Sequence, residues 1–262
     1  MHDEGEDEGE SMIPSGDPLI YLLGSGVFSF FDLTVFTQHL LQECKSVYYL
    51  HDLPSLERYL ARLTPSPVNL MPLYYIEGRN RTDIYADIAN HVLRSAQERS
   101  PVALLMHGHP LVFSSISQLI LKEGEKLGIQ VEIVPAVSSL DRMFVDLKLD
   151  IATRGIQILH TSMAVATNLI LNPHMDALFL QIGAIQDSNT ARRNETLTPA
   201  EILPFKHYLL NFYPDSHVVR VIECAIEMGF ESRLIDIKIE QMEEAAAYFN
   251  YNASAYIPAL QT

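Results

Sequence analysis

Leu19-Ile20-Tyr21-Leu22-Leu23 is a short apolar run that stops at Gly24-Ser25-Gly26. A run of this length, ended by glycines, reads as a strand buried on both faces entering a tight turn. Two further stretches repeat the pattern. Val102-Ala103-Leu104-Leu105-Met106 ends at His107-Gly108-His109-Pro110, and residues 130–134 end at Pro135. Helical patterns lie between: residues 29–43, 55–63 (closed by Pro65 and Pro67), 82–99 and 114–127. In the third, Ile84, Ile88, Val92 and Ala96 fall every fourth residue and mark one helix face. Thr82 or Asp83 is its expected cap, and Gly128 is the expected C-cap of the fourth. With residues 47–50 as a further strand, the order strand, helix, strand, helix gives an α/β fold with a mostly parallel N-terminal sheet. Ligands bind such sheets beyond the carboxyl ends of the strands. The turns at 24–26, 107–111 and 135–139 all fall at that edge, which predicts one cleft there.

The second half reads differently. Strand-like runs at 156–159, 177–182, 218–222, 234–239 and 255–257 predict a second α/β domain with a mixed sheet. The strict alternation over 234–239 predicts one face in water. The expected organisation is an acidic disordered tail over 1–17, an N-terminal domain over 18–139 and a C-terminal domain over 140–262. The tail holds Asp3, Glu4, Glu6, Asp7, Glu8 and Glu10, and charges packed so densely repel one another.

Composition sets the class. Of 262 residues, 48% are hydrophobic and 19% charged, so the chain can bury a core. Its 18 basic and 33 acidic residues give a formal charge of -15, which repels phosphates and argues against a nucleic-acid partner. Cys44 and Cys224 fit neither a disulfide scaffold nor a thiolate zinc site. No apolar run is long enough to span a bilayer, and the acidic N-terminus is unlike a targeting peptide. A soluble cytoplasmic protein is expected.

Several motifs carry chemistry. Gly24-Ser25-Gly26 lacks the third glycine of the dinucleotide fingerprint, since Ser29 stands there; an adenosine-type ligand and a plain turn both remain open. His107 and His109 are two apart at a strand end, but a metal would want a third protein ligand, and none lies nearby in sequence; no metal is expected. Arg81 abuts a helix N-terminus, where a cation is disfavoured by about 0.3–1 kcal/mol. A local rule broken in this way points to function. Arg81 and Tyr85 are four apart and share a face if the first turn reaches Arg81. Arginine and tyrosine together can bind and polarise a carbonyl oxygen. A surface arginine and a core tyrosine are the plainer alternative.

Taken in order, these pieces resemble the tetrapyrrole methylase superfamily, and within it the borosin-type peptide backbone α-N-methyltransferases. The likeness covers about residues 19–260. It rests on Gly24-Ser25-Gly26; on Arg81-Thr82-Asp83-Ile84-Tyr85, similar to R-x-x-T-Y; and on Gly108-His109-Pro110-Leu111-Val112-Phe113, similar to GHPGVF. It continues with Ser138-Ser139, with the segment from Ser162 to Asn168, with Leu180-Gln181-Ile182-Gly183 and with Ala255-Tyr256-Ile257-Pro258. His107 stands where the family often has tyrosine, and Leu111 where it has glycine.

The resemblance implies two α/β domains, a homodimer, and S-adenosylmethionine in the cleft between domains. It implies Tyr75, Arg81, Tyr85 and His107 as catalytic residues. Gly24, Gly26, His109, Pro110, Val112, Phe113, Ser138, Ser139 and Gln181 are implied as cofactor contacts. Few residues follow Pro258, so a separate precursor peptide is the expected substrate and partner. A tetrapyrrole methyltransferase and a non-catalytic peptide-binding member are the alternatives.

Overall fold

Strand β1 (Leu19–Gly24) is buried at every position. It lies between β4 (Val102–Met106) and β5 (Gln130–Ile133), parallel to both. Beyond β4 come β2 (Ser46–Leu50) and β3 (Val68–Asn69), so the order is β3-β2-β4-β1-β5 with every pair parallel. The computed structural model describes residues 17–76, 78–185 and 196–261. All but the last residue of the expected acidic tail lies outside them.

The unbroken apolar run of β1 is explained by its two covered faces. Ile20 and Leu22 pack with Ile84, Ile88 and Val92 of α4 (Arg81–Glu98) and with Ile116 and Ile120 of α5 (Ser115–Leu127). Leu19, Tyr21 and Leu23 pack with Leu40 and Leu41 of α1 (Val35–Glu43) and Leu56 and Leu60 of α2 (Pro54–Leu63). A short α3 (Met71–Tyr74) leads towards α4.

The second sheet has the order β6-β7-β10-β8-β9, from β6 (Ile156–His160), β7 (Asp176–Leu180), β8 (Val218–Glu223), β9 (Arg233–Lys238) and β10 (Ser254–Ile257). Only β6 and β7 pair in parallel; β10 runs against both β7 and β8, and β8 against β9, so the sheet is mixed as expected. Leu234, Asp236 and Lys238 of β9 face water, as the alternation predicts. Helix α6 (Ser139–Leu147) covers one face, where Met143 meets Leu178, Leu180 and Ile222. On the other face, Phe205 of α8 (Pro199–Leu210) packs edge-on against Phe179 at 5.0 Å. Helix α7 (Thr161–Thr167) follows β6 directly.

Three boundaries differ from the sequence reading. The helix expected from residue 29 begins at Val35, where the Thr34 side chain accepts the Thr37 N–H at 3.0 Å. Before it, the Asp32 carboxylate accepts the N–H groups of Val27 (3.0 Å) and Phe28 (2.8 Å), folding that stretch into turns. Helix α4 is capped by Asn80, not by Thr82 or Asp83: the Asn80 side chain accepts the Thr82 N–H at 2.8 Å. The strand expected through residue 182 ends at Leu180, because Gln181 takes a left-handed φ of 57° and a 3-10 turn follows. Gly128 ends α5 at a φ of 66°, as expected.

Candidate functional site

The carboxyl ends of β1 and β4 are tied together. Ser25 N–H donates to the Met106 carbonyl at 2.8 Å and Gly108 N–H to the Gly26 carbonyl at 2.9 Å. Gly24 must be glycine, since a Cβ there would stand 2.1 Å from the Gly108 oxygen and 2.5 Å from the Ala136 Cβ. Two backbone turns thus stack at one edge. In front of them opens a cavity of about 310 Å³. From the first sheet's side it is lined by residues 106–109 after β4, by 112–116 at the start of α5, and by Met71, Tyr75 and Tyr85. From the second sheet's side come Ser139 and Met143 of α6, Leu180 and Gln181 after β7, Cys224 after β8, and residues 251–254.

Of the expected catalytic residues, Tyr75, Tyr85 and His107 line this cavity. Of the expected cofactor contacts, His109, Val112, Phe113, Ser139 and Gln181 line it as well. Gly24, Gly26, Pro110 and Ser138 do not, and each has a local structural task. The glycines let the turns stack. The Pro110 carbonyl accepts from the Ser117 hydroxyl at 2.5 Å. Ser138 caps α6 in a reciprocal box with Asp141, whose carboxylate accepts the Ser138 N–H at 2.6 Å.

Arg81 does not line the cavity, but it reaches a residue that does. Its guanidinium carbon lies 5.3 Å from the ring centre of Tyr251, a cation–π contact between the two halves of the chain. Arg81 is the first residue of α4, so the sequence condition for sharing a face with Tyr85 is met. The ring of Tyr251 can arrive there because Gly183 has no side chain. A Cβ on Gly183 would lie 2.4 Å from the Asn250 carbonyl carbon and 2.5 Å from the Tyr251 nitrogen.

The sequence reading missed four further residues. Tyr251 and Asn252 line the cavity; nothing local in Asn250-Tyr251-Asn252 announces this, because their partners lie far away in sequence. His160, at the end of β6, packs its ring 5.7 Å from that of Phe113. Burial lowers the His160 pKa, a hydrogen bond to Gln181 opposes this, and the charge of Arg81 lowers it further. His51 meets His107 ring nitrogen to ring nitrogen at 2.7 Å; a histidine just past a strand end was the available signal. Burial first, then Asp146, pushes the Cys224 thiol up to about 12, away from the thiolate form. Phe113 and Gln181, both lining the cavity, hold left-handed φ values of 54° and 57° without being glycine. Such strain persists where surroundings over-determine it, and it clusters at sites of function. Among the described residues there is no cluster of His, Cys, Asp and Glu able to hold a metal. No described helix is long and apolar enough to cross a membrane.

Known proteins resemble this chain in sequence and in fold. The sequence model of the family described as Tetrapyrrole (Corrin/Porphyrin) Methylases matches residues 19–184. A methyltransferase and ribosomally synthesized type II borosin cyclic peptide precursor from Phlebiopsis gigantea is 28% identical, over 91% of this chain and 42% of its own length. A type I borosin precursor of the same description from Gymnopilus junonius is 24% identical, over 90% of this chain and 56% of its own. The chain thus spans about half the length of these relatives. Among solved structures, uroporphyrin-III C-methyltransferase from Thermus thermophilus in complex with S-adenyl homocysteine aligns with a TM-score of 0.62. That match has 20% identity and covers 93% of this chain and 92% of the other. A diphthine synthase aligns with a TM-score of 0.61 at 15% identity, over 92% and 90% of the two chains.

Proposed function

The chain belongs to the tetrapyrrole (corrin/porphyrin) methylase family, and we propose that it is an S-adenosylmethionine-dependent methyltransferase. Its substrate in this reading is the backbone amide nitrogen of a peptide carried on a separate precursor chain. One observation carries the reading: Tyr75, Tyr85 and His107 line one cavity, and Arg81 is coupled to the same cavity through Tyr251. The borosin precursors that the chain resembles support the choice of peptide.

The cavity fits the cofactor. A Cβ on Gly108 would meet nothing within 4 Å, so a ligand can lie against bare backbone there. Leu50, Met106, Ile116, Leu180 and Ile222 offer apolar surface to an adenine. Ser115 at the start of α5, Ser139 and Gln181 offer polar groups to the ribose and amino-acid ends. When bound, the cofactor supplies an electrophilic methyl group on a sulfonium sulfur.

The protein's task is therefore to prepare the nucleophile. An amide nitrogen is a poor one, because its lone pair is delocalised into the carbonyl. It must give up its proton, and the charge then gathers on the carbonyl oxygen. A phenolate of Tyr75 or Tyr85 takes that proton. Arg81 and the second tyrosine hold the oxygen. The proton taken by the tyrosine passes on to solvent, and the amide nitrogen is left with the free lone pair that a bound methyl donor would require. A tetrapyrrole substrate is disfavoured by charge, since a net -15 repels its carboxylates. The division of the chain near residue 140, the homodimer and cytoplasmic residence belong to the same proposal.

The test is to incubate the purified protein with S-adenosylmethionine and a borosin-like peptide supplied in trans, and to read the peptide by fragmentation mass spectrometry. Addition of one CH2 per event on backbone nitrogen is the expected result. An unmodified peptide, with methyl transfer to a tetrapyrrole instead, would overturn the reading.

A further inference from the structure

His51 and His107 pack ring against ring, with centroids 4.6 Å apart and planes at 78°. His51 Nε2 and His107 Nδ1 are 2.7 Å apart. A hydrogen bond between two imidazole nitrogens requires one to carry the proton and the other to be bare. Here the backbone settles which is which. The N–H of Leu53 donates to His51 Nδ1 at 3.1 Å. A backbone amide can only donate, so His51 Nδ1 is bare and the ring's proton sits on Nε2. That Nε2–H then donates to His107 Nδ1, which is bare in turn. The proton of His107 is therefore on its own Nε2.

The origin of this relay is local. Pro54 opens α2, and Leu53 before it has an extended backbone and offers the helix no side-chain cap. The Leu53 amide turns back to the ring two residues earlier. Asn69 pins the same corner by donating its side-chain amide to the His51 carbonyl at 2.9 Å. His107 lines the cavity, and His51, which does not, reaches it through the shared hydrogen bond.

We infer that His51 is a positioning residue that locks His107 as its Nε2–H tautomer, so that His107 meets a cavity ligand as a hydrogen-bond donor and not as a proton acceptor. The substrate part of this inference rests on the peptide-amide reading above. In that reaction His107 donates to the amide oxygen as charge gathers there, and the proton from nitrogen goes to a tyrosine. A ring whose Nδ1 is already accepting and whose Nε2 carries hydrogen has no lone pair with which to act as base.

Long-range proton–nitrogen NMR on protein carrying nitrogen-15 histidine reads the tautomer directly. The expected spectrum has Nε2 protonated and Nδ1 bare in both His51 and His107. His51→Ala should release His107 to a mixture of tautomers and lower kcat about tenfold, with KM and S-adenosylhomocysteine affinity unchanged. His51→Gln keeps an N–H for His107 Nδ1 and should restore most of both. His107→Gln, still a donor, should lose about tenfold, whereas loss of a general base costs about 10²–10⁴-fold. A proton on His107 Nδ1 in the wild type would overturn the inference, as would a His51→Ala protein with unchanged tautomer and kcat. The spectrum needs no substrate. The expected spectrum in a protein that methylates no peptide supports the lock and counts only against the peptide reading.

Discussion

The two sheets contribute to one cavity in opposite ways. On the first, most site residues come in two contiguous stretches, 106–109 and 112–116, because every strand is parallel and the turns after the strands fall at the same edge. On the second, they come from scattered places: Gln181 after β7, Cys224 after β8, and residues 251–254 leading into β10. The reason is direction. Strand β10 runs against β7 and β8, so its beginning lies beside their ends. The rule that ligands sit at carboxyl ends of strands finds the first half of such a site and overlooks a strand that enters it by its start.

This contrast can be broken by experiment, and the largest effect is expected at the bridge between the halves. Arg81→Lys keeps the charge but loses the planar fork that stacks on Tyr251 and that, in the proposed reaction, would hold the amide oxygen. Its kcat should fall about 10²–10³-fold with cofactor affinity retained; full turnover would show that the chemistry needs nothing from Arg81. Next comes Gly183→Ala, whose new Cβ would press on the backbone of Asn250 and Tyr251. A loss of about 1–3 kcal/mol in denaturant unfolding is expected, together with a drop in kcat. A change in stability alone would reduce the second sheet to a cover.

Tyr251→Leu should weaken turnover by an amount worth about 0.5–2 kcal/mol, and Tyr251→Phe should keep most of it, since the ring face is what Arg81 meets. Asn80→Ala removes the cap that starts α4 at Arg81, and thermal unfolding should report a loss of about 1 kcal/mol.

The smallest effect concerns acid. The pKa of His160 is held below its usual 6.5, chiefly by burial, so the unfolded chain binds a proton first as pH falls. Its contribution to stability is intact above 6.5 and is lost as pH falls from there through the lower folded value. His91 shifts in the same direction for the same reason, inside the first half. Melting curves across that window should show a decline that His160→Gln reduces. An unchanged slope would show that His160 does not contribute to it.

Much of the fold was legible because β1 and β4 are apolar at every position and end in glycine turns, the pattern of a parallel strand covered on both faces. The mixed second sheet was legible from the alternation in β9. The early end of β7 was not, since Leu180-Gln181-Ile182 reads as continuous strand and only the surrounding packing forces Gln181 into a left-handed turn. Beside the cavity, Arg81 was singled out by the rule it broke, a cation at a helix start, and it stacks on Tyr251 of the lining. Its partner Tyr251 could not be found, because the contact depends on a backbone approach at Gly183 that no local pattern records. Pro110 and Ser138 belong to the motifs on which the family likeness rests, yet they cap and brace the turns beside the cavity.

The most direct test of the shared cavity is a calorimetric titration with S-adenosylhomocysteine, on the wild type and on Ser139→Phe, which fills the cavity from the second sheet's side. Binding by the wild type that disappears in a folded Ser139→Phe variant is the predicted result. Equal binding by both proteins, or none by the wild type, would contradict a cofactor site built by the two halves together.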